Sequence, residues 1–269
     1  MEYSALNQTI KSECPAAHAC LSGLGRRLYY PQGVPAQAAD ARNCAINATI
    51  GQLTDGRGGA MPLPSMARHL SSVSMEKVFL YSPQGGHPEL RDAWGARQQQ
   101  HSGNPGALEF RTSRPVVTNG LTHGLSLIAD LFVDVNTPVL VPYPGWGNYQ
   151  HIFGTRRGGR MVPYSVMTDD GFSVAGLAEA LAATDGPALL VLNFPSNPIG
   201  YAPTLEESRQ IVDVVKAHSS PLVVLCDDAY EGMVWEPNLM ERSLFWQFAG
   251  ADPERLLPVK VDGATKEMF

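Results

Sequence analysis

Residues 188–226 read ALLVLNFPSNPIGYAPTLEESRQIVDVVKAHSSPLVVLC, with an apolar run at each end and a polar stretch between them. The runs 188–192 and 222–226 are apolar at nearly every position, which is typical of strands buried on both faces. Between them, Thr204 and Glu207 have the spacing of a capping box, which predicts the start of a helix over 204–218. A strand, a helix and a second buried strand in this order indicate parallel pairing.

The same alternation extends over the chain from about residue 115 onward. Short apolar runs predict strands, and the stretches between them predict helices. The predicted strands are 116–118, 139–141, 188–192, 222–226 and 256–260, and the predicted helices are 88–101, 122–133, 174–184 and 204–218. This order predicts an α/β fold of three layers (αβα), in which helices cover both faces of a mostly parallel sheet. Residues before about 60 show little pattern.

The composition excludes several classes of partner. The chain has 269 residues, of which 44% are hydrophobic, and a formal net charge of −6 without a basic run, so we expect no nucleic-acid partner. We also expect no membrane anchor, since no apolar stretch reaches the roughly 18 residues of a membrane-spanning helix and the N-terminus does not resemble a signal peptide.

The four cysteines are not spaced in pairs, which favours free thiols in a reducing cytoplasm. Cys14, His18 and Cys20 lie close together in the sequence, but no second pair of ligands follows them. We therefore predict no metal site.

Glycines and polar side chains follow the predicted strands at the points where the strands end. These segments are Asn119-Gly120, Pro144-Gly145-Trp146, Asn193, Asp227 and Lys266. Because open α/β sheets bind ligands at the carboxyl edge of their strands, we expect the five segments to meet at one site.

Two of these segments have features that suit a flat, phosphorylated ligand. Gly120, Leu121 and Thr122 open a predicted helix, whose free N–H groups can bind an anion, although an ordinary tight turn has the same sequence. Trp146 lies among glycines and prolines and can stack on a heteroaromatic ring, with packing in the core as the alternative.

The remaining segments contain polar groups that a cofactor can use. Asp227 ends an apolar run, so we expect its carboxylate to be buried and to need a positive partner. Asp228 is the competing carboxylate, but strand alternation directs the two to opposite faces.

The hydroxyl of Tyr230 and the amide of Asn197 can share one phenolic oxygen. An amine at Lys266, a carboxylate, an Asn-Pro turn and a glycine-bearing turn are the groups needed to hold pyridoxal 5'-phosphate as a Schiff base.

Taken together, the segments resemble the class I/II aminotransferases, which are fold-type-I pyridoxal-phosphate enzymes. The resemblance runs from about residue 47 to residue 269, and the motifs come in the family's order. The Asn-Pro-x-Gly element is matched by Asn197-Pro198-Ile199-Gly200, the Asp-x-x-Tyr element by Asp227-Asp228-Ala229-Tyr230, and the lysine turn by Gly263-Ala264-Thr265-Lys266.

The resemblance implies a role for each matched residue. Lys266 forms the Schiff base and shuttles the proton, and Asp227 pairs with the pyridinium nitrogen. Tyr230 and Asn197 hydrogen-bond the phenolic oxygen. Trp146 stacks on the ring, and the amides of 120–122 hold the phosphate.

The resemblance also implies residues outside this edge of the sheet. Tyr81 resembles the tyrosine that reaches the phosphate in the partner subunit of a homodimer, and Gly51 resembles the glycine that lines the substrate pocket. The implied substrates are an amino acid and a 2-oxo acid.

The resemblance further predicts how the chain is divided. Residues 1–60 are expected to form an N-terminal arm or part of a small domain, and residues 61–269 an incomplete cofactor-binding large domain. Gly263 departs from the family, which often has a serine there. The family's phosphate-binding and carboxylate-binding arginines, with most of its small domain, would fall beyond Phe269. The sequence leaves open a lyase or decarboxylase reaction on the same scaffold, and an inactive truncated family member.

Overall fold

The computed structural model describes residues 4–28, 33–49, 55–70, 72–102, 112–248 and 251–267. The helices are α1 (Ser4–Glu13), α2 (Pro15–Cys20), α3 (Gly23–Arg27), α4 (Val34–Asp40), α5 (Pro64–Leu70), α6 (Met75–Phe79), α7 (Pro88–His101), α8 (Gly120–Phe132), α9 (Val174–Ala182), α10 (Leu205–Ala217), α11 (Phe245–Phe248) and α12 (Ala264–Glu267). The strands are β1 (Pro138–Tyr143), β2 (Arg160–Ser165), β3 (Met167–Thr168), β4 (Gly171–Phe172), β5 (Ala188–Leu192), β6 (Leu222–Asp227) and β7 (Leu256–Val261). A 3-10 turn (Ala41–Asn43) and a π-helix (Gln150–Thr155) complete the elements.

In the described part of the chain, five strands form one sheet in the order β2-β1-β5-β6-β7. Every neighbouring pair is parallel, which confirms the predicted α/β class. From β1 the chain first adds β2 on one side and then returns to add β5, β6 and β7 on the other. This reversal between β1 and β5 opens a crevice at their carboxyl ends, where sheets of this kind bind ligands.

Helices pack on both faces of the sheet because its strands are apolar on both faces. On one face, Leu189 and Val191 pack with Leu125 and Ile128 of α8. On the other face, residues of β5 and β6 pack against α9 and α10 in the larger core cluster: Leu190, Leu192, Val224, Leu177, Ile211 and Val215. Each fully buried leucine stabilises such a core by about 1.5–3 kcal/mol. The predicted three-layer arrangement is therefore confirmed.

The ends of two helices agree closely with the local signals in the sequence. Pro88 occupies the first turn of α7, where its missing N–H costs nothing. Thr204 and Glu207 form the predicted capping box at the start of α10, each side chain accepting from the other's backbone N–H. No helix in the described ranges is long and apolar enough to cross a membrane.

One strand prediction fails, and one strand of the main sheet was not predicted. The segment 116–118 was expected to be a strand but is irregular, and Val116 and Val117 are exposed. Val117 bonds through its N–H to the carbonyl of Gly85 in a loop, and an apolar run becomes a strand only where a neighbouring strand pairs with it. Conversely, β2 was not predicted, because Pro163 and polar residues interrupt its apolar pattern, and such strands are tolerated at a sheet edge.

Candidate active site

A cavity of about 270 Å³ lies at the carboxyl edge of the sheet. It is bounded by the N-terminus of α8, the segment after β1, the loops after β5 and β6, and the turn that leads from β7 into α12. The predicted site residues that line it are Gly120, Leu121, Thr122, Trp146, Asn197, Asp227, Tyr230 and Lys266. The structure thus brings together side chains that are separated by up to about 150 residues in the chain, as the alternation of strands and helices predicted.

Asp227 is the buried carboxylate of this cavity. The hydroxyl of Tyr149 donates to its Oδ2 at 2.5 Å, whereas its buried Oδ1 has no hydrogen-bond partner among the residues that the structure describes. Burial raises the pKa of Asp227, and the Tyr149 hydrogen bond, the Ala229 N–H and the nearby lysine charges offset that only in part. An acceptor oxygen in such surroundings favours a positively charged donor.

Asp228 points away from the cavity. Its Oδ2 accepts from the ammonium of Lys260 at 2.6 Å, and it does not line the cavity with Asp227. The two adjacent carboxylates therefore have different neighbours, as strand alternation predicts.

Tyr230, Asn197 and Lys266 form a second group in the cavity. The Asn197 Nδ2 donates to the Tyr230 hydroxyl at 3.1 Å, and the Lys266 Nζ lies 5.0 Å from the centre of the Tyr230 ring. Burial, followed by the charge of Asp227, raises the pKa of Tyr230. The hydroxyl therefore keeps its proton at neutral pH and can donate it to an acceptor in the cavity.

The turn before α8 has the shape expected of an anion site. Gly120 adopts φ +75°, which favours glycine. Apart from its chain neighbours and the backbone of its own helix, no described residue has an atom within 4 Å of the position that a Cβ would take there. The Gly120 N–H already donates to the Thr118 carbonyl at 2.8 Å. The amides of Leu121 and Thr122, in the first helical turn, have no partner within α8.

Trp146 lines the cavity but also packs at its edge. Its ring meets that of Tyr149 in a T-shaped contact, with centres 5.4 Å apart and planes at 86°. One part of this side chain faces the cavity and it also packs against the core around α8, so its stacking on a ligand ring stays a prediction.

Sequence reasoning missed Tyr149, and it placed Asn193 at this edge of the sheet without giving it a role. Tyr149 lies three residues after Trp146, a helical spacing that would place both on one face. Asn193 directly follows β5. Its Nδ2 donates to the Asp227 carbonyl at 2.8 Å, and its Oδ1 accepts the Asn197 N–H at 2.8 Å. Asn193 therefore connects the segments of Asp227 and Asn197 through one hydrogen bond to each.

One predicted residue, Tyr81, is not brought into the cavity, and the position of another cannot be compared with it. Tyr81 is fully exposed at 104% of its reference area and does not line the cavity. Gly51 lies outside the described residues. Within the described ranges, no group of three or more His, Cys, Asp or Glu side chains could hold a metal ion.

Comparison with known proteins identifies related sequences over most of the chain. The family described as aminotransferase class I and II matches residues 45–259. An aspartate aminotransferase of Streptomyces avermitilis is 31% identical over 168 residues, covering 62% of this chain and 39% of that protein. An aspartate aminotransferase of Bacillus subtilis is 25% identical over 184 residues, covering 67% of this chain and 45% of that protein. The chain thus spans less than half the length of these curated relatives.

Solved structures share the fold at low sequence identity. An aminotransferase from Anaerococcus prevotii superposes with a TM-score of 0.78 at 21% identity, covering 93% of this chain and 63% of that one. An alanine aminotransferase from Pyrococcus furiosus superposes with a TM-score of 0.70 at 19% identity, covering 91% of this chain and 59% of that one. These likenesses show a common fold of the fold-type-I aminotransferase kind.

Proposed function

Since the chain belongs to the class I and II aminotransferase family, we propose that it binds pyridoxal 5'-phosphate in this cavity, covalently held by Lys266. The whole protein moves an amino group between an amino acid and a 2-oxo acid. The observation that carries the proposal is the meeting of Lys266 and Asp227 in one cavity, with the Asp227 Oδ1 buried and without a partner among the described residues.

The groups around the cavity fit this cofactor. A buried acceptor without a donor suits a protonated ring nitrogen, because the pairing would lower the cost of burying the Asp227 charge. The protonated hydroxyl of Tyr230 and the amide of Asn197, bonded to each other, suit a phenolic oxygen. The open space at Gly120 and the free amides that follow it suit a phosphate.

When bound, pyridoxal phosphate supplies a carbonyl that takes up amines and a cationic ring that withdraws electrons from the substrate carbon. Asp227 would keep that ring protonated, and its charge would matter most in the transition state. Lys266 would hold the cofactor covalently and, as a free amine, would move the proton at the substrate Cα. Tyr230 and Asn197 orient the ring from its phenolic side.

The proposal includes the division of the chain. Residues 61–269 form the cofactor-binding domain, and residues 1–60 form an arm or part of a small domain. We place the protein in the cytoplasm, which is supported by its four free thiols at Cys14, Cys20, Cys44 and Cys226.

The proposal is tested by the absorption spectrum of the purified 269-residue chain titrated with pyridoxal phosphate. We expect a band near the edge of the visible range that is retained as a covalent adduct after borohydride reduction. We further expect the band to shift when an amino acid is added before reduction, because the substrate amine takes the place of Lys266.

Pyridoxine phosphate is the matched control, because it carries the same ring and phosphate but no aldehyde. It should compete for the cavity and leave no adduct. A chain that acquires neither band nor adduct at millimolar pyridoxal phosphate would refute the proposed binding.

A homodimer is the second part of the proposal. Tyr81 and the residues before it form an exposed apolar surface, with Val78 57%, Phe79 77% and Leu80 66% exposed. Contiguous apolar surface of this kind marks interaction sites, and in a dimer Tyr81 would reach the partner's phosphate site. A charge placed within this surface should therefore separate the subunits.

We expect the chain to sediment as a dimer, and Phe79→Glu to weaken the dimer by about 100-fold or more, because a carboxylate buried at the interface has no cationic partner. Val135→Glu is the control, since Val135 is a similarly exposed residue (73%) in the turn after α8. A parent chain that is monomeric at all concentrations tested, or equal effects of the two substitutions, would contradict the proposed interface.

A further inference from the structure

Behind the cavity lies a buried group of charged side chains, here called the Lys260 cluster: Lys260, Asp228, Glu231 and Asp262. The Lys260 Nζ lies 2.6 Å from Asp228 Oδ2, 2.6 Å from Glu231 Oε2 and 3.3 Å from Asp262 Oδ2. The lysine side chain is 9% exposed, and the three carboxylate side chains are 4%, 6% and 14% exposed. The Lys260 ammonium thus joins the segment of Asp228 and Glu231 to the segment of Lys260 and Asp262 inside the fold.

Each member of the cluster is close in sequence to a residue that lines the cavity. Asp228 follows Asp227, Glu231 follows Tyr230, and Asp262 precedes Lys266 by four residues. Along both segments, one set of side chains faces the cavity and the other faces Lys260. The cluster therefore lies directly behind the residues to which we assign the chemistry.

Further hydrogen bonds fix the carboxylates from other directions. Asp262 accepts from the Trp94 Nε1 at 3.0 Å and from the Gln98 Nε2, both on α7. Glu231 Oε1 accepts the Ser243 N–H at 2.9 Å. Each of these two carboxylates thus has its own anchor in addition to Lys260.

The two segments are also joined through their backbones. The Asp228 N–H donates to the carbonyl of Val261 at 2.8 Å. Val261 is the residue that follows Lys260 in the chain. A rigid connection between the end of β6 and the end of β7 results.

The electrostatics of the cluster hold Lys260 in its charged form. Burial by itself lowers the pKa of Lys260. The charges of Asp228, Asp262 and Glu231 raise it by more than burial lowers it, so the net shift is upward. Burial raises the pKa of Asp228 to about 6 against the charge of Lys260. Buried ionic groups often stabilise a fold no better than apolar side chains of the same volume, whereas charge-assisted hydrogen bonds are short and directional.

We propose that Lys260 is a positioning residue: by binding Asp228, Glu231 and Asp262 it clamps residues 227–231 to residues 260–266, so that Lys266 faces Asp227 and Tyr230 across the cavity. This inference rests on the proposed function for its catalytic meaning. The clamp itself is a property of the cofactor-free chain and can be measured there.

The first test measures how fast pyridoxal phosphate forms a borohydride-stable adduct with the parent, Lys260→Met and Lys260→Arg. Lys260→Met keeps the length of the side chain and removes its charge. We expect the rate to fall by about 10- to 100-fold, because small displacements of reacting groups have effects of that size. Lys260→Arg keeps the charge and should recover most of the rate.

Leu177→Ala is the matched control for a loss of stability. Leu177 is fully buried in the core between the sheet and α9, away from the cavity. Urea unfolding shows whether the two variants lose comparable stability. At a temperature at which both are folded, Leu177→Ala should form the adduct at the parent's rate.

The second test needs no cofactor. Amide hydrogen exchange of the cofactor-free chain should show lost protection in both 227–231 and 260–266 for Lys260→Met, and in neither segment for Leu177→Ala. Should Lys260→Met fail to fold, Asp262→Ala takes its place, because it leaves Lys260 paired with Asp228 and Glu231. For Asp262→Ala we expect lost protection in 260–266 and a slower adduct rate.

The outcomes separate the two proposals. A parent that forms no adduct refutes the proposed function, and the exchange measurement alone then decides the clamp. Unchanged exchange protection of residues 227–231 and 260–266 in Lys260→Met would overturn the clamp. An adduct rate that falls equally in Lys260→Met and in a Leu177→Ala chain of matched stability would also overturn it. Lost protection confined to the folded Lys260→Met or Asp262→Ala chain supports it.

Discussion

Lys266→Ala should abolish the borohydride-stable adduct between the chain and pyridoxal phosphate. Lys266 is the lysine whose amine lines the cavity together with Asp227 and Tyr230, and alanine offers no nucleophile in its place. The measurement is the mass of the intact chain after reduction, followed by peptide mapping of the parent's adduct. We expect the parent to carry its adduct on Lys266 and the variant to carry none at equal cofactor concentration.

Lys216→Ala is the control for this experiment. Lys216 is an exposed lysine in α10 and is remote from the cavity-lining residues. Its replacement should leave the adduct unchanged. An adduct of the parent's yield in Lys266→Ala, mapped to another lysine, would overturn the assignment of the Schiff-base residue.

Asp227→Asn should weaken the binding of pyridoxal phosphate by about 100-fold, which corresponds to roughly 2.7 kcal/mol. An amide has nearly the shape of the carboxylate but no charge, so the protonated ring nitrogen would lose a buried, charge-assisted partner. The dissociation constant is measured by titrating the absorption band. Tyr149→Phe removes the donor to the Asp227 Oδ2 but leaves the charge, so we expect a smaller loss, of about tenfold.

Asp228→Asn is the matched control, because it makes the same chemical change one residue away. Lys260 keeps Glu231 and Asp262 as partners in that variant, so we expect cofactor affinity to change by less than tenfold. Equal or reversed effects of the two substitutions would mean that Asp228, and not Asp227, is the partner of the ring.

Asp227→Asn also separates the effect of this carboxylate on cofactor binding from its effect on the stability of the fold. Burial raises the pKa of Asp227 above its ordinary value, so the folded chain binds a proton there more tightly than the unfolded chain. The contribution of this group to stability therefore falls as the pH rises through the interval between the two pKa values, and it remains lower at neutral pH. Asparagine does not titrate, so cofactor-free Asp227→Asn should be at least as stable as the parent to urea at pH 7. Weak cofactor binding in a stable fold is the expected signature of a functional carboxylate.

Most of the sheet could be predicted from local patterns. The apolar runs at β5 and β6 are long enough to be read as strands buried on both faces, and the capping box before α10 marks the helix between them. The segment 116–118 was wrongly predicted as a strand and β2 was not predicted, because pairing, and not apolarity, decides whether a short extended segment joins a sheet. Val117 bonds to a loop residue, whereas β2 pairs with β1 along all six of its residues.

The cavity-lining residues were predictable because strand ends of a parallel sheet meet at one edge. Gly120, Trp146, Asn197, Asp227, Tyr230 and Lys266 all carry a local sign, such as a turn or a polar residue after an apolar run, and all line the cavity. The sequence signals at Tyr149 and Asn193 are weaker indications of a site, because a tyrosine in a helical stretch and an asparagine after a strand are common. Their roles depend on hydrogen bonds to Asp227, which is 78 and 34 residues away.

The sequence alone predicted the α/β class, the positions of most strands of the main sheet and most of the residues that meet at its carboxyl edge, because these follow from short-range apolar periodicity and from the geometry of parallel strands. Only the tertiary structure decided which of Asp227 and Asp228 faces the cavity with Tyr149 as its donor, and that Lys260 binds three carboxylates behind it. Those contacts join side chains from different strands and loops, and their energies depend on distance and burial, which no local pattern contains.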